Sequence, residues 1–173
     1  LLLSPGGAAT LEFPHLLQLI ELNQFDTIYH EHFSYFSLIA VRGVMRAHGL
    51  EIFDVEEVPT HGGSLRLYVR HAGAGQQIGA RVEELEARER AAGLATIDGY
   101  SQFGERVWAT KRRLLEFLIR AKEDGKRVAG YGAPAKGNTL LNYCGIRGDF
   151  LEYTVDRSPH KQGLYLPGTH IPI

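Results

Sequence analysis

A glycine-rich turn between two strand-like segments most strongly limits what this chain can fold into. Residues 127–132 (RVAGYG) and 150–156 (FLEYTVD) have the apolar character of buried strands, and residues 134–144 (PAKGNTLLNYC) between them suit a helix. Two strands joined through a helix pair in parallel, because the helix crosses the sheet and returns the chain to the same edge. We therefore predict an α/β fold for this part of the chain.

The first half of the chain predicts a mixture of strands and helices. Residues 8–13 suggest a short strand, and Pro14 suits the first turn of a helix whose apolar side carries Leu16, Leu17, Leu19 and Ile20. Ser37 is a good N-cap for a helix over residues 38–48, which Gly49 would end. The segments IFDVEEV and SLRLYV, joined by PTHGG, indicate a two-stranded hairpin.

Two helices of different character are predicted after the hairpin. The small residues of HAGAGQQIG indicate a linker. RVEELEARERAA predicts a solvated helix, with Glu84–Arg88 and Glu86–Arg90 spaced for ion pairs. Next, Val107, Leu114, Leu118 and Ala121 mark the apolar side of an amphipathic helix that ends near Gly125.

Composition excludes several classes of protein. The chain has 173 residues, 44% of them hydrophobic, and a formal net charge of −1, so we expect no nucleic-acid partner and no membrane partner. The only cysteine, Cys144, leaves no internal disulfide and no cysteine-based zinc cluster, which favours a cytoplasmic location. The ends LLLSPGG and HIPI interrupt recognisable patterns, so we interpret the chain as a piece of a longer protein.

GYGAPAKGN is the first motif that could bind a ligand. Gly130, Gly132 and Ala135 satisfy the loose form of the dinucleotide fingerprint, and Asp156 ends the next strand, where an acid would meet a ribose. Lys136 precedes Gly137, the reverse of the Walker order. The pattern leaves two alternatives open: a phosphate-bearing ligand, or a tight strand-to-helix turn that binds nothing.

THGGSLR is a second glycine-containing polar loop. Gly62 and Gly63 allow a close backbone approach to a ligand, and Arg66 can form paired hydrogen bonds to a phosphate or carboxylate. The alternative is a hairpin turn whose polar residues face water.

The aromatic segment FDTIYHEHFSYFS contains a His-Glu-His triplet. His30 and His32 are two residues apart and lack the i,i+4 spacing of helical zinc ligands, so a metal site would need a distant partner such as His61. Acid/base chemistry fits better, because imidazole titrates near neutrality and Glu31 can orient it. The surrounding aromatic side chains would limit water. Structural histidines are the remaining alternative.

In their order along the chain, these motifs resemble one family. LLLSPGGAATLEFPHL, NQFDTIYHEHFSYFS, THGGSLR and GYGAPAKGN resemble the S-adenosylmethionine-dependent C-methyltransferases that act on nucleotide sugars of the dTDP-sugar type. The resemblance covers nearly the whole chain and implies an enzyme that methylates a ring carbon next to the ketone of a keto-deoxysugar nucleotide.

The resemblance also implies a domain plan. Residues 1–72 would be the C-terminal half of a Rossmann-like class I methyltransferase domain, residues 73–106 a helical linker, and residues 107–173 a second Rossmann-like domain, both domains being incomplete. The glycine-rich loop for S-adenosylmethionine and a small zinc module would both lie upstream. The chain alone is then expected to be inactive.

Residue roles follow from the same resemblance. His32 would be the base, Glu31 would orient it, and Tyr29 would donate to the enolate or to a sugar hydroxyl, with His30 in support. The substrate-binding residues would be His61, Gly62, Gly63, Ser64, Arg66 and Lys136. The alternatives are the nucleotide-binding module of an NAD-dependent oxidoreductase and a binding module without catalysis.

Overall fold

A computed structural model describes residues 3–75 and 77–173 of the chain. Gln76, in the predicted linker, and Leu1 and Leu2 lie outside these described residues. The chain divides into two compact units. Unit 1 comprises Leu1–Gln24 and Phe33–Phe103, and unit 2 comprises Phe25–His32 and Gly104–Ile173.

Unit 1 is built on an antiparallel sheet of three strands. The strands are β1 (Ala8–Pro14), β2 (Leu50–Val58) and β3 (Ser64–His71), in the order β1-β3-β2. β3 pairs antiparallel with both neighbours, which confirms the predicted hairpin between the second and third strands. Alternate residues of β3 face the core, and the buried apolar ones are Leu65, Leu67 and Val69.

Three helices accompany this sheet: α1 (Leu16–Glu21), α2 (Leu38–Ala47) and α3 (Ala80–Ala91). The predicted start of α2 is confirmed, because the Ser37 side chain accepts a hydrogen bond from the N–H of Ala40. The predicted helix start at Pro14 is wrong. Pro14 ends β1 opposite Ser64, so pairing with β3 keeps this residue extended.

The core of unit 1 lies between the sheet and the helices α2 and α3. Its buried apolar residues are Leu38, Val41, Ile52, Val55, Leu65, Leu67, Val69, Val82 and Leu85. Two of them belong to α3, so the prediction of a solvated helix is wrong for one side of α3. Of its predicted ion pairs, Glu86–Arg90 forms at 2.6 Å, whereas Arg88 binds Glu57 at 2.6 Å.

Unit 2 contains most of α4 (Ser101–Glu123), followed by β4 (Gly130–Tyr131), α5 (Ala135–Cys144) and β5 (Thr154–Val155). β4 and β5 pair in parallel, which confirms the strand–helix–strand order, although each strand is only 2 residues long. The buried core residues of this unit are Leu118, Ala133, Cys144, Ile146, Leu151, Leu166 and Ile171. The chain is thus a mixed α/β protein.

Candidate functional site

The segment that carries the His-Glu-His triplet is anchored in unit 2 by its first residues. Phe25–Thr27 forms a single 3-10 turn in which Phe25 and Thr27 are buried. The Phe25 ring packs against Tyr143 of α5, with 5.2 Å between the ring centroids. This contact holds the start of the segment on α5.

Tyr29 is the centre of the predicted catalytic group. Its carbonyl accepts a hydrogen bond from the N–H of His32 at 3.0 Å, which closes a turn. The Tyr29 ring contacts the His32 ring edge-on, with 4.9 Å between centroids, and lies 6.1 Å from the His30 ring. The turn therefore brings the predicted base and the predicted hydroxyl donor together.

The segment is more open than its aromatic composition suggests. His30 and Glu31 are exposed, and Phe33 is 97% exposed. Of the four predicted catalytic residues, only His32 and Tyr29 are half-buried. The structure therefore does not show the aromatic enclosure that the sequence predicts around the histidines.

The glycines of the GYGAPAKGN turn have structural reasons. Gly132 has a φ of 96°, a left-handed conformation that favours glycine. A Cβ on Gly130 would lie 2.8 Å from Cγ2 of Thr154, because β4 and β5 approach closely there. The fingerprint glycines are thus required by the backbone and by packing, independently of any ligand.

Asp156 lies at the end of β5, as predicted, and its carboxylate holds the turn. The carboxylate accepts hydrogen bonds from the N–H groups of Ala133, at 2.7 Å, and Ser158, at 2.8 Å. Lys161 Nζ donates to the same carboxylate at 3.3 Å. The Ser158 and Ala133 N–H groups, followed by Lys161, lower the pKa of Asp156 below its ordinary value.

A cavity of about 350 Å³ in unit 2 brings the two motifs together. Tyr29 and His30 lie on its wall with Ala133 of the GYGAPAKGN turn and Asn138 of α5. The remaining lining residues are mostly apolar: Pro134, Ala135, Thr139, Lys161, Leu164, Tyr165, Leu166, Pro167 and Ile173. Lys136, in the first turn of α5, is half-buried and does not line this cavity.

Three consecutive residues of the THGGSLR loop of unit 1 have a positive φ. His61, Gly62 and Gly63 have φ values of 55°, 88° and 120°. Gln24 Nε2 donates to the Gly62 carbonyl at 2.8 Å, and the Ser64 hydroxyl donates to the Thr60 carbonyl at 3.0 Å. A cavity of about 470 Å³ is lined by Gln18, Glu57, Val58, Pro59, Gly62, Gly63 and Ser64.

Arg66 lies on the sheet and does not line that cavity. It sits opposite Glu12 of β1 and Glu56 of β2 in the strand register. Its guanidinium binds Glu12 at 2.9 Å and Glu56 at 3.4 Å. Hydrogen bonding to Arg66 lowers the pKa of Glu12. The predicted anion-binding arginine is thus part of a cross-strand ion-pair network.

Two kinds of feature are absent from the described residues. Residues 3–75 and 77–173 contain no cluster of three or more His, Cys, Asp or Glu side chains that could hold a metal ion. Within the same ranges, no helix has the length and apolar character needed to cross a membrane.

His15 and Glu89 form a buried polar pair that was not predicted from the sequence. Their side chains are fully buried, and His15 Nε2 lies 2.8 Å from Glu89 Oε1. A signal was available for Glu89, because Val82, Leu85 and Glu89 follow the i, i+3, i+7 spacing of one helix face. No pattern in the sequence marks His15.

Comparison with known proteins identifies the family. A family model described as "C-methyltransferase C-terminal domain" matches residues 59–173. "C-methyltransferase NovU" from Streptomyces niveus is 43% identical over 175 residues, an alignment that covers 99% of this chain and 41% of that relative. The chain therefore belongs to the C-methyltransferase family, and it spans about two fifths of the length of the curated relative it matches.

Proposed function

We propose that the protein to which this chain belongs is an S-adenosylmethionine-dependent C-methyltransferase of keto-deoxysugar nucleotides. Membership of the C-methyltransferase family supports the reaction class. The motifs that resemble nucleotide-sugar enzymes support the acceptor. The free, buried Cys144 agrees with a reducing, cytoplasmic setting.

The same proposal includes the domain plan. We assign residues 1–72 to the C-terminal half of a Rossmann-like methyltransferase domain, residues 73–106 to a linker and residues 107–173 to a second Rossmann-like domain. The antiparallel order β1-β3-β2 in the first range and the parallel pair β4-β5 in the third support this assignment. A parallel pair linked through a helix is the basic unit of Rossmann-like folds.

Methylation of carbon requires a general base. A neutral C–H is no nucleophile, so the carbon next to the ketone has to lose a proton before it can attack an electrophilic methyl group. His32 takes this proton in our proposal. The ring contact between His32 and Tyr29, 4.9 Å between centroids, supports this role because it fixes the imidazole next to a hydroxyl donor.

The neighbouring residues assist the base. Tyr29 donates its hydroxyl hydrogen to the developing enolate oxygen or to a sugar hydroxyl, which stabilises the charge that forms as the proton leaves. Glu31 orients His32, and His30 supports Tyr29. Tyr29 and His30 lie on the wall of the 350 Å³ cavity, which His32 does not line. Their position beside a space that can take part of a substrate is the observation that carries this proposal.

Each unit by itself contains residues that we propose as substrate contacts. In unit 1 they are His61, Gly62, Gly63, Ser64 and Arg66, of which the two glycines and Ser64 line the 470 Å³ cavity. In unit 2 Lys136 has this role. The ion pairs of Arg66 with Glu12 and Glu56 mean that an anionic substrate would have to displace two carboxylates to reach its guanidinium.

S-adenosylmethionine supplies the methyl group in this family, but the strand–turn–helix of unit 2 does not fit it. Its ribose needs a free acid after a strand and its neighbourhood needs open backbone N–H groups. At the strand–turn–helix of unit 2, Asp156 already accepts from Ala133, Ser158 and Lys161. The roles proposed here therefore concern the acceptor sugar alone.

Methyl transfer to a keto-deoxysugar nucleotide tests the proposal. The protein is expressed with any sequence that its gene places before or after this chain, and the product is analysed by mass spectrometry and carbon NMR. We expect a new C–CH₃ group, and a loss of turnover of about 10²–10⁴-fold in His32→Ala. The matched control is His48→Ala, since His48 is exposed at the end of α2. Turnover in His32→Ala equal to that of His48→Ala would contradict the assignment of the base.

A binding module without catalysis is the second candidate, favoured by the strand–turn–helix around Gly132. Titration of the protein with thymidine diphosphate, NAD and S-adenosylmethionine shows which of these ligands it binds. Binding of NAD without binding of thymidine diphosphate would replace the methyltransferase proposal with an oxidoreductase one.

A further inference from the structure

Glu89 of α3 is a fully buried carboxylate that accepts three hydrogen bonds. Oε1 accepts from His15 Nε2, at 2.8 Å, and from the N–H of Leu38, at 2.7 Å. Oε2 accepts from the N–H of Ile39 at 2.9 Å. A buried carboxylate is costly unless hydrogen-bond donors replace its water, so the three donors have to stay in place around Glu89.

Glu89 completes the start of α2. The first N–H groups of a helix have no partner within the helix. Here Glu89 binds those of Leu38 and Ile39, and the Ser37 side chain binds that of Ala40 at 3.1 Å. The beginning of α2 is therefore fixed by two independent acceptors, one of which comes from a distant helix.

Backbone hydrogen bonds link His15 and its neighbour Leu16 to two further segments of unit 1. Its backbone N–H donates to the Gly63 carbonyl of the THGGSLR loop at 3.0 Å. The N–H of the next residue, Leu16, donates to the Phe36 carbonyl at 3.0 Å. His15 thus joins β1, the glycine loop and the residues just before α2.

We propose that Glu89 and His15 are positioning residues for the acceptor side of methyl transfer. The chain leaves His15 through α1, passes through the turn of Tyr29 and His32, and returns at Phe36 to α2. His15 lies at the start of this segment and Glu89 binds the first residues of α2 at its end. His15 also binds Gly63. The inference rests on the function proposed above, because it assigns the pair a role in presenting the segment that contains the base.

Hydrogen exchange and kinetics of Glu89→Gln test this inference in the protein with its native flanking sequence. Glutamine keeps the shape of Glu89 but turns an N–H₂ group toward donors that need an acceptor. The matched control is Glu84→Gln, an exposed position on the same helix. We expect amide exchange at Leu38 and Ile39 to rise at least about tenfold in Glu89→Gln, with no change in the control.

The kinetic expectation separates positioning from general loss of structure. In Glu89→Gln we expect kcat to fall at least about tenfold and KM for the sugar nucleotide to rise, while KM for S-adenosylmethionine stays within about twofold. Unchanged exchange at Leu38 and Ile39, or faster exchange with unchanged kcat, would overturn the positioning role. A parallel rise in both KM values would also overturn it.

A second pair of variants covers the case in which Glu89→Gln fails to fold. In His15→Gln the side-chain N–H₂ group can reach the place of Nε2, whereas in His15→Asn it is too short. We expect His15→Gln to keep most of kcat and His15→Asn to lose it, and equal kcat values in the two would overturn the inference. If the unaltered protein transfers no methyl group, the proposed function fails, whereas exchange at Leu38 and Ile39 still decides whether the pair holds α2.

Discussion

Glu89 in unit 1 and Asp156 in unit 2 use the same chemistry in different surroundings. Each carboxylate accepts hydrogen bonds from two backbone N–H groups and from one side-chain nitrogen. The side chain of Glu89 is 0% exposed, whereas that of Asp156 is 15% exposed. Burial is therefore the main difference between them.

That difference decides what happens when the carboxylate is lost. Around Glu89 no water can take its place, so its donors would remain unsatisfied in an apolar core. Around Asp156 water can reach the freed N–H groups. We therefore expect the buried site to determine stability and the more accessible one to determine pH dependence.

Removing the buried carboxylate has the largest expected effect. Glu89→Ala leaves His15 and the N–H groups of Leu38 and Ile39 without an acceptor, which we expect to lower the free energy of unfolding by about 3–5 kcal/mol. Urea denaturation followed by circular dichroism measures it. Glu84→Ala is the control, with an expected change within about 0.5 kcal/mol. Equal effects in the two variants would mean that Glu89 stabilises nothing specifically.

Crowding the turn of unit 2 has the next effect. Gly130→Ala places a Cβ 2.8 Å from Thr154 Cγ2, so we expect a loss of about 1–3 kcal/mol. Gly148→Ala is the control, since a Cβ there meets nothing within 4 Å. Adding Thr154→Ser removes Cγ2 and should restore part of the loss. A neutral Gly130→Ala would show that packing does not require this glycine.

The smallest effect concerns pH. The pKa of Asp156 is lowered by the N–H groups of Ser158 and Ala133 and then by Lys161, so its ionised form stabilises the folded state. This contribution is fully present above the ordinary pKa, 3.8, and is lost as the pH falls through the lower pKa of the folded state. Thermal unfolding of Asp156→Asn should therefore lose less stability on acidification than the unaltered protein. Parallel pH curves would contradict this role.

Much of the fold follows from local signals. The hairpin of β2 and β3, the Ser37 cap of α2 and the strand–helix–strand order around Gly130 need only neighbouring residues, and all three were predictable. The buried side of α3 was not predicted, because a segment rich in Glu and Arg resembles a solvated helix. The hydrogen-bond partner of the buried Glu89 is His15, which is 74 residues away along the chain.

The candidate site shows the same limit. The sequence indicates that Tyr29 and His32 belong together, since they are close along the chain. It does not indicate that Tyr29 and His30 share a cavity with Ala133 and Asn138, since that depends on packing between distant segments. The partners of Arg66 depend on the register that sets Glu12 and Glu56 opposite it. The THGGSLR motif alone predicts that Arg66 binds a ligand, whereas in the sheet Arg66 forms ion pairs with Glu12 and Glu56.

Proton exchange at the acceptor carbon is a direct test of whether His32 is the base. The keto-deoxysugar nucleotide is incubated in D₂O with the protein and without a methyl donor, and NMR follows deuterium entering the carbon next to the ketone. We expect exchange with the unaltered protein and with His48→Ala, and a rate about 10²–10⁴-fold lower with His32→Ala. Exchange at the unaltered rate in His32→Ala would contradict it.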